Sequence, residues 1–392
     1  MIQMNEWNKN SEHLLYLISC ALRGAEVEES RLDGIDLDRL FVLARKHSVA
    51  AMVCMVLEKT DAFAKANPIE KKRWQEAKYK AIRKNMMLDA DFEILMNNME
   101  NAGIWYMPLK GCVLKDWYPQ YGMREMADYD ILFDETKREQ VKALFLEQGY
   151  TAEYFKVSSH DIYHKPPIYN FEMHVSLFNE SHDPKLLKKY ASVKDSLLPD
   201  ENRNHRLHFT NEDFYVYVIA HAYKHYSRSG IGIRTLADIY VMYHRIGKSM
   251  DWDYVNRELE ALGIRAYEER SRLLSEKIFG CGKPLSEITL TEDEWEMLLY
   301  YLGSSTYGTI ENYVHNRLHS MQADSEPIRA STKLRYFLSR LFPGRNYCIN
   351  AYPLIYKHPF LLPFFWIWRC FARIPAGKKS IQKELSALKS PK

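Results

Sequence analysis

Residues 107–134 contain two aspartates, Asp128 and Asp130, one residue apart inside an apolar run. Side chains alternate along a β-strand, so both carboxylates would lie on one face while Tyr129 and Ile131 lie on the other. Two like charges side by side on a strand repel each other unless a cation lies between them. Mg²⁺ prefers carboxylate oxygens and is commonly bound together with substrate phosphates. The pattern therefore predicts a strand that binds a divalent metal ion and, through it, a nucleotide.

A second segment, 168–177, alternates apolar and polar residues and has Glu172 and His174 on its polar face. Nucleotidyl transfer uses one metal ion to activate the attacking hydroxyl and another to hold the triphosphate. A third carboxylate commonly completes the first metal site, so Asp128, Asp130 and Glu172 are the predicted catalytic and metal-binding residues. Because a lone Asp-x-Asp pair also occurs on exposed strands, the alternative is a solvated strand face with ordinary carboxylates.

A lysine and a glycine, Lys110 and Gly111, follow a short β-like run at 104–107. A glycine after a strand and at a helix start lets backbone N–H groups approach a phosphate, and Lys110 adds a positive charge. Arg124 lies four residues before Asp128 and is suited to clamp a phosphate or to orient the aspartates. Lys110, Gly111 and Arg124 are therefore the predicted nucleotide-binding residues. The alternatives are a simple turn with an exposed lysine, and a buried Arg–Asp pair.

Two histidines, His221 and His225, lie one helical turn apart, which is the spacing of metal ligands. The segment has no intervening glutamate of the kind found in zinc proteases and no evident third ligand, which favours a histidine pair packed near a domain interface. Four further charged residues lie on or between the predicted helices 213–226 and 233–245: Lys224, Arg228, Arg234 and Asp238. They would form either the far wall of a nucleotide cleft or a polar interface.

Helical patterns lie on both sides of the region that contains these motifs. The predicted fold class is α+β, with a small mixed-sheet core flanked by N-terminal and C-terminal helical regions. The predicted core elements are strands at 104–107, 127–133, 150–155 and 168–177 and a helix at 136–148. The predicted C-terminal helices are 213–226, 233–245, 251–262, 266–279 and 293–302, followed by a weakly patterned stretch at 309–341. The predicted regions are 1–103 (N-terminal helices), 104–200 (α/β core), 201–345 (C-terminal helical domain) and 346–392 (aromatic and basic tail).

Composition narrows the choice of partner and compartment. The formal net charge of +3 argues against a dedicated binder of duplex DNA, which needs a strongly basic face. Six cysteines without a Cys-x-x-Cys pair form neither a disulfide framework nor a zinc site. The N-terminal residues lack the apolar core of a signal peptide, and no apolar run approaches the roughly 18 residues that span a bilayer. These features predict a cytoplasmic protein.

The C-terminal tail is both aromatic and basic. Residues 366–392 contain seven Lys or Arg residues and one Glu, and the segment 361–373 is rich in aromatic side chains. Such a segment is suited to peripheral contact with a membrane surface. It is equally able to pack on the protein while its cations extend into water. Pro363 interrupts the segment and favours packing.

Together these motifs resemble a family of bacterial nucleotidyltransferases, the NTP-transferase 5 type, in the DNA polymerase β-like superfamily. The resemblance rests on LKG-x2-L-x3-YP, R-x3-D-h-D, F-E-h-H and H-x3-H in chain order, where h is apolar, and it spans most of the chain. It implies metal-binding roles for Asp128, Asp130 and Glu172, and a phosphate-binding turn at Lys110 and Gly111. The superfamily usually continues this turn with serine or glycine, whereas this chain has cysteine at position 112.

The resemblance implies an enzyme that transfers a nucleoside monophosphate from an NTP to a hydroxyl of an acceptor, with Mg²⁺ or Mn²⁺ in a two-metal mechanism. The acceptor is left open among a small molecule, RNA and protein, the last two as in toxin-like branches of the superfamily. The alternative from another class is a catalytically degenerate scaffold or binding protein of the same fold, whose aromatic and basic tail binds a partner or a membrane surface.

Overall fold

The architecture was taken from a computed structural model that describes residues 9–179, 182–322, 328–348, 352–376 and 378–389. The N-terminal region is helical, as predicted. Its longest helix begins with a reciprocal cap, in which the Asn67 side chain accepts hydrogen bonds from the N–H groups of Ile69 and Glu70, and Glu70 accepts one from the N–H of Asn67. The N-terminal helices are α1 (Lys9–Arg23), α2 (Leu37–Lys46), α3 (Ala50–Leu57), α4 (Asp61–Ala64) and α5 (Pro68–Asn101).

A five-stranded mixed sheet follows, which confirms the α+β fold class. Its strands are β1 (Tyr106–Pro108), β2 (Tyr129–Phe133), β3 (Thr151–Glu153), β4 (His160–Lys165) and β5 (Tyr169–His174), in the spatial order β1-β2-β5-β4-β3. The short helix α6 (Gly111–Leu114) follows β1, and α7 (Arg138–Glu147) lies between β2 and β3. Strands β2 and β5 are parallel and the other neighbours are antiparallel. The register of the parallel pair sets Asp130 directly beside Glu172.

Strand β4 is absent from the sequence-based prediction, which was wrong to leave this segment unassigned. The inward-facing residues of β4 are Asp161 and Tyr163, both fully buried. A buried aspartate breaks the apolar alternation on which strand prediction depends. Arg138 from α7 makes this burial possible, because its guanidinium donates two 2.7 Å hydrogen bonds to the Asp161 carboxylate. Strand β4 pairs with β5 through a turn at Pro166 and Pro167.

The C-terminal region is again helical; its first short helix is followed by a two-stranded ribbon of β6 (Leu198–Pro199) and β7 (Leu207–His208), and the other helices come after the ribbon. All five predicted helices of this region are present with somewhat different ends, and the weakly patterned stretch contains two more. None of the described helices is long and apolar enough to cross a membrane. The helices are α8 (Pro184–Tyr190), α9 (Asn211–Ser229), α10 (Arg234–Ile246), α11 (Trp252–Leu262), α12 (Arg265–Ser275), α13 (Glu292–Gly303), α14 (Ile310–His319), α15 (Ala330–Leu341), α16 (Pro353–Lys357), α17 (Leu362–Ala376) and α18 (Lys378–Lys389).

Three apolar clusters hold the described elements together, and the smallest of them packs α14 against α15 and α18 through Val314, Leu318 and Tyr336. The largest one, the helical core, joins α1–α3 and α9–α13 to the N-terminal half of α5, where Trp74 is buried. The second one, the sheet core, joins the strands and α7 to the C-terminal half of α5, where Leu95 is buried. Helix α5 therefore belongs to both of these cores, and Met107 of β1 and Leu132 of β2 also pack in the helical core.

Candidate active site

A cavity of about 510 Å³ lies between strands β2, β5 and β4 of the sheet and helices α9 and α10. Carboxylates from the sheet line one side of the cavity. Lysine, arginine and histidine side chains from the helices line the other side. All six residues predicted from sequence line this one cavity: Lys110, Gly111, Arg124, Asp128, Asp130 and Glu172.

The acidic side of the cavity is centred on Asp130. Its Oδ1 accepts hydrogen bonds from Lys110 Nζ at 2.9 Å and from His174 Nε2 at 2.8 Å. One ligand atom from each of Asp130, Glu172 and His174 lies within 4.8 Å of the other two, so these residues form a group able to hold a metal ion. Asp128 is not part of this group and lies one residue before β2 begins. Asp128 still lines the same cavity.

The electrostatics of the three carboxylates differ sharply. Burial and the neighbouring charge of Asp130 raise the pKa of Asp128, and burial with both aspartates raises the pKa of Glu172 to about 7. Burial alone would also raise the pKa of Asp130, but Lys110 and His174 hold it well below its usual range. The site therefore retains a fully ionised Asp130 beside a glutamate that is half protonated near neutral pH.

Lys110 reaches across the cavity. Its Nζ lies 2.9 Å from Asp130 Oδ1 and 3.4 Å from Nε2 of His221 on α9, so the lysine connects the sheet to the helical wall. Burial opposes its charge, but Asp130 raises its pKa above the usual value. Lys110 also has a φ of +43°, which is unfavourable for a residue with a side chain. The exposed lysine of a simple turn is therefore not what the structure contains.

Arg124 forms the buried ion pair that the sequence left open as an alternative. Its Nε and Nη2 donate to the two carboxylate oxygens of Asp238 at 2.8 and 3.0 Å, and the Tyr118 hydroxyl donates to the same aspartate at 2.7 Å. This bidentate arrangement ties the loop before β2 to helix α10. Arg124 thus lines the cavity while its guanidinium is bonded to Asp238.

Gly111 provides the space for that arginine. A Cβ atom at this position would lie 2.5 Å from Arg124 Nη1 and 2.8 Å from Met126 Cε. Cys112 follows it and donates from Sγ to the carbonyl oxygen of Asp130 at 3.5 Å. The side chain after the glycine is thus bonded to the β2 backbone.

Replacing Gly111 with alanine tests the packing role of this glycine. Alanine normally stabilises a helical position relative to glycine, but here it must displace a bonded arginine, so we expect the free energy of unfolding to fall by about 1–3 kcal/mol. The matched control is Gly303→Ala, where a Cβ atom would meet nothing within 4 Å; it should raise stability by about 0.5 kcal/mol. Urea denaturation measures both. Equal effects at the two positions would contradict the close approach of Arg124.

The opposite wall is cationic. Lys224 and Arg228 of α9 and Arg234 of α10 line the cavity, and burial followed by the charge of Lys110 lowers the pKa of Lys224 to about 8. Arg234 Nη1 donates to the carbonyl oxygen of Glu125 at 3.0 Å, just before Asp128. The charged residues that the sequence left as a wall or an interface therefore do line this cavity.

Five histidines line the cavity, and no role was predicted for two of them, His160 and His182. Burial lowers the pKa of each, to about 4 for His160 and His182 and to about 3 for His225, so the rings are neutral at pH 7. His174 is the one that period-two alternation placed beside Glu172, yet its bond to Asp130 needs the β2–β5 register. His221 and His225 pack ring to ring with centroids 4.7 Å apart.

Comparison with known proteins agrees with the motifs. A family model described as uncharacterised nucleotidyltransferase matches residues 33–280, which include every residue of the acidic centre and of the cationic wall. No curated protein and no solved structure matches the chain. The match covers more than half of the sequence. The chain therefore belongs to this nucleotidyltransferase family.

Proposed function

We propose that the protein is a metal-dependent enzyme that moves a nucleoside monophosphate from an NTP to a hydroxyl group of an acceptor. The observation that carries the proposal is the position of Asp130 beside Glu172, in register on parallel strands and facing a cationic wall across one cavity. Family membership supports the reaction class.

The proposed metal-binding residues are Asp128, Asp130 and Glu172, and the metal is Mg²⁺ or Mn²⁺. The donor chemistry fits, because hard divalent cations prefer carboxylate oxygens, Asp130 and Glu172 belong to one group able to hold a metal ion, and Asp128 lines the same cavity. Lys110 and His174 both bond to Oδ1 of Asp130, so they do not occupy Oδ2. When bound, the metal ions would activate the acceptor hydroxyl and neutralise the triphosphate.

The chain's own residues would position the nucleotide and move the proton. Lys110, the backbone of Gly111 and the cations of α9 and α10 provide positive charge for the phosphates. The sequence predicts that Arg124 contacts phosphate. Because its guanidinium is bonded to Asp238, Arg124 would instead hold α10 in position beside the cavity. Glu172, which lies in the acidic group beside Asp130, is suited to accept the proton of the attacking hydroxyl.

The acceptor is proposed to be a small molecule, RNA or protein rather than duplex DNA, since the formal charge is only +3. The compartment is proposed to be the cytoplasm, where thiols stay reduced, because the described cysteines are free.

Nucleotide affinity is expected to have an optimum in pH. Glu172 must ionise to bind metal, so affinity for Mg²⁺–NTP should rise as pH increases through about 7. Lys224 must stay protonated to attract phosphate, so affinity should fall as pH increases through about 8. Glu172→Gln should remove the acidic limb of the profile and Lys224→Met the alkaline limb. The nucleotide's own protonation is common to all three proteins, so a profile unchanged in both variants would contradict these assignments.

The proposed function is tested by calorimetry with a non-hydrolysable NTP and Mg²⁺ or Mn²⁺ on the folded full chain. We expect binding that disappears when the metal is chelated and that is lost in Asp130→Asn. Binding that is indifferent to metal, or no binding by a protein with a normal unfolding transition, would overturn the proposal.

A further inference from the structure

Helix α17 presents a continuous apolar face to solvent. Phe364, Ile367 and Phe371 are 69%, 61% and 80% exposed, and Trp368 is half exposed. These residues are spaced three or four apart, so they lie on one side of the helix. Phe360, which precedes the helix, is also largely exposed. Single exposed apolar residues are ordinary on protein surfaces, but a helix face made only of large ones marks a contact surface.

The other side of the same helix is fixed to the protein. Phe365 is buried and packs against Tyr352, Trp366 Nε1 donates to the carbonyl oxygen of Pro343 at 3.0 Å, and Arg369 Nη1 donates to that of Arg340 at 2.6 Å. The helix is thus held in place with its aromatic face outward.

Charge separates this part of the chain from the rest. Residues 357–392 contain eight Lys or Arg residues and one acidic residue, Glu384, while the whole chain is only +3. The rest of the chain is therefore net negative. Glu384 is bonded to Arg340 at 2.7 Å, so its charge is already compensated. Lys357 and Lys383 are exposed. An anionic surface would therefore attract this segment, whereas the net charge of the rest of the chain has the same sign as the surface.

We propose that this aromatic face docks the protein on the surface of an anionic lipid bilayer, with the phenyl and indole rings at the headgroup boundary and the basic residues near the lipid phosphates. The combination of large aromatic side chains on one helix face with a local excess of Lys and Arg is the chemistry of an interfacial helix. The proposal is independent of nucleotide transfer.

Vesicle flotation of the full-length protein tests this proposal. We expect the protein to float with phosphatidylcholine vesicles that contain phosphatidylserine, to float much less with phosphatidylcholine alone, and to be released by high salt. The double variant Phe364→Ser/Phe371→Ser should bind on the order of a hundredfold more weakly, because each buried aromatic ring contributes about tenfold. Lys357→Glu/Lys383→Glu should lower binding only to the anionic vesicles.

The matched control is Ile69→Ser/Met86→Ser, which removes two exposed apolar side chains from α5 and should leave flotation unchanged. All variants should keep the wild-type unfolding midpoint, since the replaced side chains are exposed. Wild-type protein that stays unbound with anionic vesicles, or a Phe364→Ser/Phe371→Ser variant that floats normally, would overturn the proposal. So would a concentration-dependent dimer that this variant abolishes without vesicle binding, which would assign the face to a second copy of the chain.

Discussion

Asp130→Asn is expected to lower metal-dependent nucleotide transfer by about a thousandfold or more, because it removes the central charge of the acidic group. The same change leaves Lys110 partly buried, with a side-chain exposure of 16%, and without its anionic partner. Breaking a buried ion pair from one side is strongly destabilising, so the free energy of unfolding should also fall by about 3 kcal/mol.

A second buried aspartate provides the control for this dual effect. Asp161 lies in the same sheet, is fully buried against Arg138 and does not line the cavity. Asp161→Asn should lower stability by a similar amount yet retain transfer activity at a temperature where it is folded.

A thermodynamic cycle measures the coupling between Lys110 and Asp130, with Lys110→Met made alone and combined with Asp130→Asn. The double variant should be more stable than the sum of the single changes predicts, by about 1–2 kcal/mol. Additive changes would contradict the coupling of the pair.

Glu172→Gln should stabilise the metal-free protein while abolishing its activity. The pKa of Glu172 is raised from 4.5 to about 7 in the folded state, by burial and then by the two aspartates. A folded pKa above the unfolded one means that the stabilising contribution of this group is complete below pH 4.5 and is lost as pH rises through 7. At pH 8 the neutral amide avoids this cost, so the free energy of unfolding should increase by about 2 kcal/mol.

Urea denaturation with a chelator at pH 8 and at pH 5 measures the effect. The stabilisation should be large at pH 8 and small at pH 5, where the glutamate of the folded protein is already protonated. Addition of Mg²⁺ at pH 8 should raise the stability of the wild type more than that of Glu172→Gln, which has lost one carboxylate of the metal-binding group. A variant that is less stable than the wild type at pH 8 without metal would contradict the repulsion among the carboxylates.

Alternation along two strands predicted that Asp128, Asp130 and Glu172 lie on polar strand faces, whereas the group able to hold a metal ion consists of Asp130, Glu172 and His174. An aspartate pair in an apolar run and a glutamate on the polar face of a later strand identify the β2 and β5 segments, and the parallel register brings Asp130 and Glu172 together. The position of Asp128 was less predictable, because β2 begins one residue later. Period two identifies a face, but it does not show where a strand begins.

The contacts that sequence could not predict join residues distant along the chain. Arg124 and Asp238 are 114 residues apart, so their pairing depends on how α10 packs beside the loop before β2. Strand β4 was missed for a related reason, since Asp161 takes an inward position only because Arg138 meets it there. Polar side chains whose hydrogen-bond partners are far away along the chain leave no local periodicity in the sequence.

Helix α5 connects the two parts of the protein that line the cavity. Its 34 residues extend for about 50 Å. Its N-terminal half packs in the helical core, and its C-terminal half packs in the sheet core. The sheet that carries the carboxylates and the helices that carry the cations are therefore joined not only by Lys110 and the Arg124–Asp238 pair but also by α5. Small changes in its curvature would widen or narrow the gap that a triphosphate has to bridge, so substitutions far from any substrate atom can alter turnover.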